Sequence, residues 1–222
     1  MQKNQIILVV IGIAAIVGLY FMGQRTDSHA GHDHAKEGGQ AQRPAGGMPQ
    51  NNVDPAKFED LYAAALGQLN EADKSKENTL ATASKETPKP ETHRDIAEFW
   101  QEKDLNIASH YYKKGALLEN TEKSITFAGN LFLAQMANTN NPEIKEWQAN
   151  EAIECFNKAL GINPNNPDIK IALASCYIDG TGEIMKGVGA LKEVTALDST
   201  NLNANLLLGK LSVQSGQHEK AL

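Results

Sequence analysis

Basic clusters, a cysteine framework and strand-like alternation are all missing from this sequence, and each absence removes a class of protein. Lys and Arg number 21 against 27 Asp and Glu, for a net charge of −6. No stretch concentrates enough positive charge to neutralise phosphates, which excludes nucleic acid as a partner. Two cysteines, Cys155 and Cys176, are too few for a disulfide scaffold and leave one bridge or two free thiols open. No Gly-rich phosphate loop is present: "GTGEIMKG", Gly180 to Gly187, has no strand before it and no Lys-Ser/Thr pair, so it reads as a turn between helices. HExxH and CxxC are absent too, and His93, His110 and His218 stand alone, so the sequence shows no catalytic constellation and calls for no cofactor. "HYYKKG" (110–115) reads as a helix that turns Tyr112 inward and leaves Lys113 and Lys114 in solvent.

What the chain does have begins with Ile6 to Met22, an uncharged run of about 17 residues that spans about 26 Å as a helix, against a hydrocarbon core of about 30 Å. A cleaved signal peptide is the rival reading, with Lys3 as its charged leader. The bulky "GLYFM" stands where a cleavage site needs small residues, which favours an uncleaved anchor over residues 1–23. Lys3 on one side and Arg25 on the other nearly balance. A short leader before a single span places the N-terminus inside, so in a bacterial cell the bulk of the chain faces the periplasm.

Residues 24–53 are rich in Gly, Gln, Ala, Asn and Pro and hold almost no large apolar side chain, which makes them a flexible linker. Within it, His29, His32 and His34 are spaced closely enough to hold zinc, copper or nickel weakly, and equally read as a polar spacer that is His-rich.

From residue 54 the pattern is all-α. Asp54-Pro55 reads as an N-cap and first helical residue. Phe58, Leu61, Tyr62, Ala65, Leu66 and Leu69 then recur at helical period, predicting one amphipathic helix over 54–84 that ends before Pro88. Beyond Glu91, helices alternate with short turns and repeat internally. An offset of 35 residues sets Ala152 on Gly187, Phe156 on Leu191 and Ala159 on Val194; an offset of 44 sets Ala108 on Ala152 and Tyr112 on Phe156. The extra length falls on "ANTNNPEIKEW" (137–147), which reads as an insertion near the turn between two helices.

In these positions the sequence resembles the tetratricopeptide repeat (TPR) family, whose unit of about 34 residues is helix A, turn, helix B, turn. Ala152, Phe156, Ala159 and Pro164 match helix B and its following turn; Leu173, Ala174 and Tyr177 match helix A; Leu208 and Gly209 open the next unit. The resemblance spans 91–222. It implies a helix-turn-helix solenoid with a concave face built from helix A, here predicted to carry Lys170, Ser175, Asn205 and Lys210. It also implies protein or peptide partners in place of turnover. The Lys and Asn that grip chaperone C-termini in this family would fall on Phe127 and Leu131, Ile171 and Ser175, Leu206 and Lys210, so that clamp is absent. In the same register Gly216 is a turn residue, His218 takes an aromatic position and Ala221 is the close-packing alanine of a further helix B. The register therefore predicts that the reading frame continues past Leu222. The layout resembles membrane-anchored bacterial TPR proteins, which implies a scaffold of the kind used in envelope protein assembly or cytochrome c maturation. Metal handling through His29, His32 and His34 is the alternative.

Overall fold

A computed structural model describes residues 54–215, and all of them are helix, turn or extended connection. The anchor run, the linker with His29, His32 and His34, and Gly216, His218 and Ala221 lie outside the described residues. Among the described residues no helix is long and apolar enough to cross a membrane.

The helix expected over 54–84 is two helices: α1, Phe58–Gln68, and α2, Glu71–Glu86. Leu69 is extended, and the Asn70 side chain accepts a hydrogen bond from Asp73 N–H, a cap that starts a new helix in the middle of the polar run. Asp54-Pro55 does not start α1 either. Ala56 N–H donates to the carbonyl of Glu143, 3.0 Å away, and helix begins only after the extended Lys57. A tertiary hydrogen bond has displaced the local cap.

The rest follows in pairs: α3 (Pro90–Trp100) with α4 (Leu105–Glu119), α5 (Glu122–Asn138) with α6 (Pro142–Ile162), and α7 (Pro167–Ser175) with α8 (Ile184–Leu197). The helix α9 (Leu202–Gln214) opens a fourth. Asp104, Thr121, Asn141, Asn166 and Asn201 cap α4, α5, α6, α7 and α9 through their side chains. The insertion is helix, not loop. Only Thr139 to Asn141 turn the chain, while α5 and α6 grow to 17 and 21 residues. In the third pair, α7 continues as a π-helical segment, Cys176–Thr181, and Gly182 ends it with φ 72°. A π turn holds one more residue than an α turn, which accommodates a 35-residue unit on a 34-residue plan.

Four stripes of like register bury the odd-numbered helices of the pairs: His93, Ile96, Ala97, Trp100; Ile125, Ala128, Gly129, Phe132; Lys170, Leu173, Ala174, Tyr177; Asn205, Leu208, Gly209, Ser212. The first two stripes are fully buried and the last is half-covered to open. Close approach is enforced where small residues meet large ones. A Cβ on Gly129 would stand 2.7 Å from Phe156 Cε1, and one on Gly187 2.5 Å from Ile178 Cγ1. The helix α1 lies against α4 and α6. Phe58 stacks on His110 with ring centres 3.6 Å apart and lies 6.5 Å from Trp147.

Lys113 is buried and does not solvate an outer face as the sequence suggested. Its Nζ donates to Glu151 Oε2 at 2.9 Å and to Glu154, joining α4 to α6. Burial alone would lower its pKa, but the Glu154 and Glu151 carboxylates more than offset this and hold it above 10.5. That contribution to stability is whole below pH 10.5, the value in the unfolded chain, and is lost as pH rises through the folded value. Lys113→Met is expected to flatten this alkaline limb in urea titrations above about pH 10. Lys113→Ala is expected to cost about 1–2 kcal/mol at pH 7, because it removes the ammonium without refilling the space.

Candidate functional site

The four aligned stripes fix which side chains the helices α3, α5, α7 and α9 leave open. Counting from the stripes, Glu98, Asn130, Ser175 and Lys210 are equivalent, as are Phe127, Ala172 and Leu207. The contacts bear this out at one end. Ser175, Ile178 and Asp179 of the α7 rod and Leu207, Lys210, Leu211 and Gln214 of α9 line one shallow cleft, with room for about 20 Å³. Ile178, Leu207 and Leu211 give it apolar surface, and Asp179 and Lys210 bring one carboxylate and one ammonium. At the other end, Tyr112 of α4 rises between α3 and α5. Its hydroxyl donates to Gln101 Oε1 at 2.8 Å, and its ring meets Phe127 edge-on at 5.8 Å. Phe127 remains 36% exposed there.

Of the four residues predicted for the concave face, Ser175 and Lys210 share the cleft. Lys170 donates to Glu193 of α8 at 2.6 Å, so its charge is spent inside its own pair. Asn205 donates to the Ser199 carbonyl at 2.8 Å and fastens the turn before α9. Among the predicted packing residues, Ala152, Phe156, Ala159 and Ala174 are fully buried and Leu173 nearly so. Tyr177, Leu208 and Gly209 are half-buried, and Pro164 is exposed in the turn after α6. The clamp comparison shifts by one residue in α5. Gly129 fills the close-contact position, so the equivalents of Ile171 and Ser175 are Thr126 and Asn130 in place of Phe127 and Leu131. These substitutes are still no Lys-Asn pair. Ile178, Asp179 and Leu207 escaped sequence reasoning; the 35-residue offset of Ala172 to Leu207 was the signal that could have found the last.

Cys155 and Cys176 are free and buried. Burial pushes the Cys155 thiol up to about 12 and Cys176 upward as well, so neither supplies thiolate near neutral pH. His93 Nδ1 sits 3.0 Å from the Lys89 carbonyl. A hollow of about 300 Å³ beside Asn70 and Trp100 is edged by Asp73, which pairs with Lys103, and by Asp104, which caps α4. Among the described residues no group of three His, Cys, Asp or Glu side chains is placed to hold a metal ion.

Paired helices stacked in register, with small residues at each crossing and one open face on alternate helices, define a TPR-like fold. No family model matches the chain, and no curated protein matches it. Among solved structures, the chain is similar to a MamA crystal structure with TM-score 0.46 and 18% identity over 69% of this chain and 89% of that one. It is similar to MamA from Desulfovibrio magneticus at TM-score 0.46 and 17% identity, covering 74% and 86%. It is also similar to a thermophilic TPR protein from Thermus thermophilus at TM-score 0.45 and 21% identity, covering 73% and 81%.

Proposed function

We propose that the protein is a membrane-anchored docking scaffold: Ile6–Met22 holds it in the bilayer, residues 24–53 tether it, and the open face of α3, α5, α7 and α9 receives a protein partner on the periplasmic side. The observation that carries this reading is the cleft between α7 and α9, where Ser175 and Lys210, equivalent positions of neighbouring repeats, meet beside Ile178, Leu207 and Leu211. Extended segments suit such a face because each repeat presents the same positions again a short distance on. Envelope protein assembly or cytochrome c maturation is the setting such an anchored adaptor serves.

Photo-crosslinking in cells tests it. A photoreactive residue at Ser175 or Lys210 is expected to trap one discrete protein partner, and the same residue at Lys192, exposed on α8, is expected to trap none. Equal crosslinking from both faces would overturn the docking reading. Protease treatment of intact cells and of spheroplasts tests the anchor. The helical body is expected to be degraded once the outer envelope is opened; survival until the inner membrane is lysed would reverse the orientation.

A further inference from the structure

The first helix, α1, is fastened to the repeats by few contacts. From Phe58 to Gln68 only Ala65 is buried, and the Lys57 side chain makes no cap bond. No ion pair among the described residues involves 54–68. Ala56 N–H donates to the Glu143 carbonyl, and the Tyr62 hydroxyl donates to Glu77 of α2. Phe58 lies flat on His110 and stands 6.4 Å from Tyr111 and 6.5 Å from Trp147. The second helix pair, by contrast, buries Ile125, Phe132 and Phe156 completely. An element with so little buried apolar surface opens at a lower free energy than the molecule as a whole.

The imidazole under Phe58 is badly placed to carry a charge. His110 Nδ1 is buried without a hydrogen-bond partner, so the proton of the neutral ring belongs on Nε2, and a second proton on Nδ1 would face no acceptor. The charged groups bearing on it are cationic or can become so: Lys114 and Lys113 on α4 and His93 on α3. Lys113 is itself paired with Glu151 and Glu154 of α6. The helix α1 turns Phe58 towards the ring and keeps Lys57, Glu59 and Asp60 exposed. The face of Phe58 attracts an imidazolium and offsets part of the cost. We propose that α1 is an acid-released strap: protonation of His110 detaches α1 from α4 and α6 while the helix pairs stay folded, and uncovers Tyr111 and Trp147. Below pH 6.5 the released form takes up a proton that the closed form refuses until about pH 3, so opening gains up to about tenfold per pH unit in that interval. Other groups beside the strap do not supply this slope. Tyr62, Tyr111 and Lys113 are pushed up from values of 10.0, 10.0 and 10.5. Glu146 of α6 is pushed up by burial and then by the Asp54 and Glu183 carboxylates, so its protonation relieves a repulsion and tightens the strap.

Native-state hydrogen exchange of the full-length protein in detergent tests this, read by mass spectrometry between pH 7 and pH 5 and corrected for the intrinsic exchange rate. Amides of α1 are expected to be about a hundredfold less protected than those of α5 and α6 at every pH. Their protection is expected to fall about twentyfold from pH 7 to pH 5. His110→Phe, which keeps a ring against Phe58, and His110→Gln are both expected to remove that fall. His93→Gln is expected to retain it. Equal protection of α1 and α6 would mean that only the whole molecule opens, and would overturn the proposal. So would a flat profile in the wild-type chain, an undiminished fall in both His110 variants, or a fall that disappears with His93→Gln.

Discussion

Phe156→Ala is expected to lower the unfolding free energy by about 3–5 kcal/mol, the largest loss of any single truncation at this interface. Phe156 is fully buried in the cluster that joins α5, α6 and α7, beside Phe132, Cys155 and Ile169. Its ring lies where the missing Cβ of Gly129 leaves space, with that Cβ position 2.7 Å from Cε1 and 3.0 Å from Cδ1. A methyl group placed there collides with a ring that has no free volume to enter. Gly129→Ala is therefore expected to cost about 1–3 kcal/mol in spite of the better helix propensity of alanine. The pair gives a sharper test than either change. Phe156→Leu removes the ring atoms that the added methyl group would strike, so the double substitution should lose less than the sum of the singles in urea melts. Strict additivity would mean that the clash is relieved elsewhere.

Acid should unfold the protein through His110. The imidazole is largely buried and stacked on Phe58, and its Nδ1 has no hydrogen-bond partner. Burial, and then the ammonium groups of Lys114 and Lys113, lower its pKa from 6.5 to about 3. The unfolded chain thus takes up this proton first. The contribution of neutral His110 is whole above pH 6.5 and is lost as pH falls from there towards 3, a drop of a few kcal/mol. His110→Phe keeps a ring against Phe58 and removes the titration. Its stability is expected to be flatter than that of the wild-type chain between pH 6 and 4. An unchanged slope over that interval would show that His110 does not govern it.

The repeat was legible because its signal is redundant: small and large side chains recur at offsets that the helices must respect, and Ala152, Phe156 and Ala159 could be placed without coordinates. Three features were not legible, for separate reasons. The break at Leu69 and Asn70 depends on a cap inside a polar run where asparagine is equally at home in solvent. The burial of Lys113 depends on Glu151 and Glu154, which are distant in sequence and arrive only when α6 folds against α4. The register of α5 slipped because the 44-residue offset of the second helices does not hold for the first, where Gly129 corresponds to Ala174. In the candidate site Ser175 and Lys210 were readable from periodicity. The π-helical segment that carries Ile178 and Asp179 into the same cleft leaves no mark in residue type.

The residues that lengthen α5 and α6 include Glu143 and Trp147, the ones on which the start of α1 rests. Ala56 is bonded to the first and Phe58 stands over the second, with His110 beneath. A pull on the chain at Asp54 therefore does not enter the array at its first helix. It is taken up by the second helix pair, in shear across two repeats at once, and α2 and α3 stay unloaded until that grip fails. Shortening the insertion to a regular unit would remove the handhold, and the same pull would then strip the array one helix at a time from α1 onward.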